Sequence, residues 1–464
     1  MLGLETFFNM TLLEQANTLA QSGQLRPARA LYEQYLSNGT ENAVAWNNYG
    51  HVLDDLGDKI AALICFDRAL TIQADYAQAH CNKGFVLYEM HYDAEALLCF
   101  DACIAAQPSF AVAWNNRGNS LRALGHFDQA IASFKQAYML EADFHNARWN
   151  ESLCRLLIGD YSQGWQQYES RWQAPAPSGQ MLETPRPTWL GKEPIKGKRI
   201  ILWPEGGDGD VFQFVRFAST VQQMGAHVIL AVRPSSLRLF QHNFPQFELL
   251  TMMEGALIPA WDKQCSLMSL PLACGIDSLK KVPASASYLS SSSQLQALWH
   301  QRLQGLTLIS PRKRIGLVWA GNGITDVNLD RSLALRQFEA LGNIAQQQNF
   351  QLVSLQKGTA NTESSLHLLD LTDELLDWAD TAALIANLDL VISCDTGVAH
   401  LAAAMGKPTW ILSRHNGCWR WLLDRNDSPW YPSVRLFRQP TFGDWATVMQ
   451  EVAIVLAAQS LPLL

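Results

Sequence analysis

No run of 18 or more apolar residues occurs in the 464-residue chain. A helix needs about 20 such residues to cross a bilayer, so no membrane-spanning helix is expected. The first residues (MLGLETFFNMTLLEQ) lack a basic stretch ahead of an apolar core and do not read as a secretory signal. Cysteine is sparse: nine residues, odd in number, scattered, with no C-x-x-C spacing. Cys99 and Cys103 share a helix face but have no second pair nearby to complete a zinc site. Reduced, mostly buried thiols in a cytoplasmic protein are the expectation. Charge is also thin, at 17% of residues. Residues 1–172 hold 19 Asp+Glu against 11 Lys+Arg, and the remainder holds 24 of each, so the whole net charge of −8 sits in the N-terminal part. A phosphate backbone needs a basic face, which argues against nucleic acid as a partner there. The dinucleotide fingerprint G-x-G-x-x-G is missing too. After Gly207 and Gly209 the third place is Phe212, and a dehydrogenase reading loses most of its support.

What is present is a length and a 48% hydrophobic content that suit two to four domains with large cores. The first 150 or so residues repeat with a period of 34. Gly50 returns as Gly84 and Gly118, and Leu53 as Leu87 and Leu121. Ala62 returns as Ala96 and Ala130; Phe66 returns as Phe100 and Phe134, with Tyr168 one period on. Trp46 and Gly57 come back after two periods as Trp114 and Gly125. Ala16, Leu19, Gly23, Ala28 and Tyr32 keep the register one period earlier. The pattern resembles the tetratricopeptide repeat, two antiparallel helices per unit, with four clear copies and a degenerate fifth at 145–172. Asn48, Asn82, Asn116 and Asn150 keep the same spacing. The resemblance places them on the concave face, where an amide can both donate to and accept from an extended peptide backbone. Eukaryotic protein O-GlcNAc transferases carry a similar asparagine ladder. The alternative is that these amides simply bond from repeat to repeat.

Residues 174–194 are rich in Pro and Gly and break the repeat, with Trp189 as a candidate anchor. Beyond them apolar strands alternate with helices, which implies parallel α/β sheets. Strands are expected at 199–203, 227–232 and 247–251, and, in a second half, at 315–319, 350–355, 388–394 and 409–412. A helix is expected over 211–224, another over 398–405 and a closing one over 445–458. The strand 388–394 runs into Asp395-Thr396-Gly397 and then a helix of small residues. Such a junction points free N–H groups and a positive dipole end at one spot, which favours an anion. Open α/β sheets place ligands just past the carboxyl ends of strands, and two facing halves make a cleft.

From Gly164-Trp165 and residues 168–172 (YESRW) to Trp445, the chain resembles bacterial repeat-containing glycosyltransferases whose catalytic part is related to the lipopolysaccharide heptosyltransferases. The residues that carry the likeness are Glu205-x-Gly207-x-Gly209-Asp210, 316–322 (GLVWAGN), Arg331-Ser332, 354–358 (SLQKG), 395–402 (DTGVAHLA) and 419–421 (WRW). The resemblance implies an α-solenoid followed by two Rossmann-like halves of the GT-B type. The divisions expected are 1–172 for the repeats, 173–197 for a linker, 198–305 for an acceptor-side half and 306–464 for a nucleotide-sugar-binding half. It further implies sugar transfer from a nucleotide donor to an acceptor hydroxyl, with inversion, no cofactor and no obligatory metal.

In that chemistry charge develops on a phosphate oxygen, and a helix N-terminus, hydroxyls and cations stabilise it. Thr396 and Gly397 suit the turn, with Arg331 or Lys357 as the cation. Asn322, His400, Arg420 and Trp421 are further donor-side candidates, and Asp395 is expected to orient the turn through backbone amides. The acceptor hydroxyl loses its proton to a base. Asp210 occupies the place of the family's proposed base, Asp208 is its rival, and Glu205 just after the first strand is a third; capping of the following helix is the other role open to Asp210. A Ser or Thr of a protein held by the repeats is the expected acceptor, with flagellin as a client implied by resemblance. Two alternatives remain: a repeat adaptor or chaperone on a non-catalytic fold, and a transferase acting on a glycan or lipopolysaccharide core. No basic or amphipathic membrane-binding segment supports a lipid-linked acceptor.

Overall fold

The computed structural model describes residues 2–174, 186–253, 259–306, 313–321, 326–358 and 364–458. The chain forms two compact units, residues 1–154 with 173–175, and residues 155–172 with 176–464.

The first unit is a run of helix pairs: α1 (Leu2–Gln21), α2 (Leu25–Leu36), α3 (Ala43–Asp55), α4 (Lys59–Ile72), α5 (Ala77–Glu89), α6 (Asp93–Ala106), α7 (Ala111–Ala123), α8 (Phe127–Leu140) and most of α9 (His145–Leu157). The repeated residues explain the pairing. A Cβ built on Gly50, Gly84 or Gly118 would lie 2.6, 2.8 or 2.6 Å from a ring carbon of Phe66, Phe100 or Phe134. Only glycine lets the second helix of each pair come that close with its aromatic ring between. Ala62, Ala96 and Ala130 are fully buried beside them. Gly57 and Gly125 end α3 and α7 in the left-handed region.

The degenerate fifth repeat divides between the units. Its second helix, α10 (Tyr161–Tyr168), and the 3-10 turn Glu169–Trp172 belong to the second unit, so the compact divisions fall at 154/155 where 172/173 was expected. Packing explains the shift. Trp165 lies edge-on to Phe214, Trp419 and Trp430 with centroids 6.2, 5.2 and 6.4 Å away. Arg171 is fully buried and forms a bidentate pair with Glu205 at 2.6 and 2.8 Å.

The second unit holds two parallel sheets. In the first half come β1 (Arg199–Trp203), α11 (Asp208–Phe214), α12 (Ala218–Gln223), β2 (His227–Val232), α13 (Leu237–Asn243), β3 (Glu248–Thr251), β4 (Lys263–Ser266), α14 (Leu270–Ala273) and α15 (Ser293–Gly305). Its sheet has the order β3-β2-β1-β4. The second half runs β5 (Lys313–Val318), α16 (Asp326–Arg331), α17 (Glu339–Gln348), β6 (Phe350–Ser354), β7 (Leu369–Asp370), α18 (Trp378–Ala386), β8 (Leu390–Cys394), α19 (Gly397–Ala404), β9 (Thr409–Ser413), β10 (Val434–Arg438) and α20 (Trp445–Ala458). Its order β10-β9-β8-β5-β6-β7 is the doubly wound Rossmann arrangement, in which the strand order reverses between β5 and β8.

Several expectations change here. The helix expected over 211–224 starts earlier, at Asp208, and is broken by a 3-10 turn at Val215–Phe217. β4 (KQCS) was missed because it carries no apolar run, and β10 (VRLFR) although Val434 and Leu436 face inward. Residues 175–185 of the linker lie outside the described residues. Its last part joins the first sheet, with Thr188 bridging to Gln264 and Trp189 buried beside it. The expected closing helix is α20, and it packs on one half. Its buried residues Val448, Met449, Val452 and Leu456 complete the core of the second half, packing with Phe338, Leu341 and Phe437. The brace across the halves is supplied by α10 and the turn after it.

Candidate active site

Both sheets are organised around a central strand with a turn at its carboxyl end. The turn after β1 carries Glu205, Gly206 and Gly207 into α11, and the turn after β8 carries Asp395 and Thr396 into α19. The two turns meet. A Cβ on Gly209 would lie 2.9 Å from His400 Cδ2 and 3.3 Å from Gly397 Cα, while one on Gly397 would lie 3.5 Å from the Gly209 nitrogen. Glycine at 209 and 397 is therefore what lets the N-termini of α11 and α19 touch.

On the second half, Thr396 is the N-cap of α19, yet its side chain makes no cap bond. Its hydroxyl lies 3.0 Å from Ser393 Oγ instead. The first-turn amides of α19 thus receive no acceptor from the Thr396 side chain, and such a helix N-terminus favours an anion. Asp395 does not bond the turn's amides as expected. Its carboxylate faces His400 Nε2 at 3.4 Å, and its backbone carbonyl accepts from Arg331 Nη1 at 2.7 Å. Burial works against charge on Asp395, but the hydrogen bond and charge of His400 hold its carboxyl well below the usual carboxylate range. His400 is buried, with Nδ1 2.9 Å from the Tyr431 hydroxyl and its ring stacked on Trp421 at 5.3 Å. Burial pushes the Tyr431 phenol up, so it stays protonated beside that nitrogen. His400 therefore supports the turn from beneath.

Lys357 is exposed just past β6 and donates to the Leu375 carbonyl at 2.6 Å. Asp330, beside Arg331 in the chain, sits 3.3 Å from Arg414. Gln356 was missed by the sequence reading, although it neighbours Lys357 in a quoted motif. Its Oε1 accepts from the amides of Trp319 and Ala320 at 3.1 and 2.9 Å and fixes the loop after β5. Asn322 lies outside the described residues. Trp419, Arg420 and Trp421 are all buried, and Trp421, a donor-side candidate, packs against His400.

On the first half, Glu205 is consumed by Arg171 and by the Ser266 hydroxyl, with no side-chain exposure. It anchors the turn and is no candidate base. Asp208 accepts from Arg233 Nη1 at 2.7 Å and from Trp378 Nε1 at 2.8 Å. Trp378 had no sequence signal; its ring also lies 3.2 Å from where a Gly397 Cβ would be. Asp210 takes up the capping role considered for it. Oδ2 accepts from the Gly207 amide at 2.8 Å in a capping arrangement, and Oδ1 pairs with Arg420 Nη2. Its side chain remains 23% exposed.

In the first unit, Asn82 Nδ2 donates to Asn47 Oδ1 at 3.0 Å, and Asn150 Nδ2 to Asn115 Oδ1 at 2.9 Å. Asn48 donates to Asn17 at 3.1 Å, and Asn116 accepts from Asn115 at 3.0 Å. The repeat-to-repeat bonding considered as an alternative is therefore present. All four ladder residues are half-buried, and each amide has two N–H donors and two lone pairs, so unused capacity remains.

A repeat array and a pair of Rossmann-like halves with a helix N-terminus at the strand-order reversal define the class of protein. Residues 334–412, which hold Lys357 and the Asp395–His400 turn, match the model of glycosyltransferase family 9 (heptosyltransferase). Residues 43–76 and 111–144 match tetratricopeptide repeat models. The chain thus joins tetratricopeptide repeats to a glycosyltransferase family 9 domain. It is 26% identical over 476 residues to Protein FlbA of Caulobacter vibrioides, a match covering 96% of this chain and 72% of that one. Among solved structures, the MamA RS-1 ArsTM double mutant is 18% identical over 35% of this chain and 91% of its own, with a TM-score of 0.33. TTC0263, a thermophilic TPR protein in Thermus thermophilus, is 23% identical over 36% and 92%, with a TM-score of 0.32. At those scores the two structures carry no argument about function. No described helix is long and apolar enough to cross a membrane.

Proposed function

We propose that the chain transfers a sugar from a nucleotide-sugar donor to a Ser or Thr hydroxyl of a protein bound by its repeats. The observation that supports this reading is the contact of Gly209 with Gly397, which brings the turn that bears Asp210 against the N-terminus of α19. In one step the acceptor oxygen bonds the anomeric carbon and its proton passes to Asp210. The anomeric C–O bond breaks, and the electron pair leaves on the donor phosphate. That charge falls at the amides of Gly397 and its neighbours and at the Thr396 hydroxyl, with Arg331 and Lys357 as nearby cations. No metal is required in this scheme, and attack opposite to departure inverts the anomeric centre. The resemblance supports these two points and suggests a flagellin as one client.

Calorimetry with CDP, CMP, UDP, GDP and ADP tests the donor site; no binding to any of them ends this reading. Intact-mass analysis of proteins captured from the native cell, incubated with candidate donors, tests the acceptor. A chain with Asn48, Asn82, Asn116 and Asn150 all changed to Ala that folds and still captures its client unchanged removes the ladder from the scheme. A second reading, a repeat adaptor on an inert fold, draws on the engagement of both Asp210 oxygens. Nucleotide binding without any transfer supports that reading.

A further inference from the structure

Arg420 was expected at the donor, yet it is buried and faces the first half. Its Nη2 pairs with Asp210 Oδ1 and its Nε donates to Gln213 Oε1 at 2.7 Å. Its Nη1 points at Cys418 Sγ at 3.0 Å, and its guanidinium lies over the Trp419 ring at 4.3 Å. Asp210 and Gln213 are three residues apart on α11 and so share one face of that helix. Gln213 is fully buried. Its orientation is fixed by chemistry, since an amide NH2 turned toward a guanidinium would set donor against donor.

The Asp210 carboxylate is held at two atoms by different halves. The Gly207 amide of its own turn binds Oδ2, and Arg420 of the second half binds Oδ1. One bond alone leaves the carboxylate free to turn about that bond, while two fix its plane. Gln213 in turn supplies the acceptor for Arg420 Nε from the same helix face. We propose that Gln213 and Arg420 are positioning residues for the reaction: Gln213 aims Arg420, and Arg420 fixes the plane of the Asp210 carboxylate. The assignment rests on Asp210 acting as the base in the reaction proposed above. It makes placement of the base depend on a residue from the opposite half.

The test uses the full chain and the donor and acceptor identified as above. Gln213→Leu removes the acceptor for Arg420 with little change in volume, and Gln213→Glu restores one. Misplacing a catalytic group by an ångström costs up to about 100-fold. The expected result for Gln213→Leu is roughly a 10-fold fall in kcat with the donor KM within about 2-fold of wild type, and recovery of most of that kcat in Gln213→Glu. For Arg420→Ala the expected result is a larger loss of kcat that guanidinium at millimolar concentration partly restores, and that Arg420→Lys does not restore. Unchanged kcat in Gln213→Leu, or kcat and donor KM falling together with the melting temperature, overturns the assignment and leaves the functional reading standing. A wild-type chain that transfers no sugar to any protein overturns the functional reading and this assignment together.

Discussion

Asp210 and Asp208 stand two residues apart and differ in their partners, one with Arg420 and the Gly207 amide, the other with Arg233 and Trp378. Replacing Asp210 by Asn keeps the shape and removes the proton acceptor. General bases typically contribute 10²–10⁴-fold, so kcat of Asp210→Asn is expected to fall by about 100-fold or more while Asp208→Asn falls by less. Turnover assays of both variants decide it, and the opposite ranking makes Asp208 the base. Asp395 offers a pH test. Its folded carboxyl is held below the unfolded value by His400, so the stability it contributes is full above the ordinary carboxylate range. That contribution is lost as pH falls from about 4 toward the lower folded value. Asp395→Asn should therefore melt lower than wild type at pH 7, and the gap should narrow below about pH 4. A constant gap from pH 7 to pH 3 would show that the pairing with His400 contributes nothing. These residue types were all legible in the sequence. Their pairings were not, because Asp210 meets Arg420 across 210 positions of chain and Asp208 meets Trp378 across 170.

At the scale of elements, α10 and the turn after it count as transferase structure although their register is that of a repeat. Trp165 fills an aromatic cluster with Phe214, Trp419 and Trp430, and the Tyr161 hydroxyl accepts from Trp430 Nε1 at 3.1 Å. Arg171 closes the other end on Glu205. A chain beginning at Gln173, where composition alone draws the boundary, loses all of this and leaves Glu205 buried without its cation. An uncompensated buried charge costs about 3–5 kcal/mol, before any aromatic surface is counted. The expected outcome is an aggregated product for 173–464 and a folded, monodisperse one for 155–464, read by gel filtration and circular dichroism. Equal behaviour of the two would show that α10 only covers the surface. Within the repeats the sequence is the better guide: the glycine, alanine and aromatic positions lie within 16 residues of their partners, as Gly50 with Phe66, so a local pattern carries the contact.

At the scale of the molecule, the two halves of the second unit are held by contacts of unequal weight. Arg238 binds Asp377 at 2.6 and 2.9 Å and Asp380 at 2.6 Å, but the arginine side chain is 43% exposed, and solvent screening leaves such a contact about 1 kcal/mol. Arg216 is buried; it donates across the halves to the Trp430 carbonyl at 2.7 Å, and within its own half to the Gln213 and Pro283 carbonyls at 2.7 and 3.0 Å and the Tyr288 hydroxyl at 2.7 Å. Four net hydrogen bonds of ~1 kcal/mol each, one of them across the halves, make Arg216→Ala the severe change, by about 3 kcal/mol or more. Thermal melts should rank Arg216→Ala well below Arg238→Ala, with only the Arg238 contribution weakened by added salt. The reverse ranking would place the hold between the halves at the exposed pair.

By itself the sequence determined the repeat register, most strands of both halves and the two glycine-bearing turns. Those features depend on residues close together in the chain, where period and turn chemistry are visible. Tertiary structure alone decided the strand order that puts β5 beside β8, the meeting of Gly209 with Gly397, and the transfer of α10 into the second unit. It also turned Arg420 and Trp421 from donor-side candidates into buried supports. Each of those outcomes joins segments far apart in the chain, and burial and hydrogen-bond satisfaction select among such pairings only once the whole chain has packed.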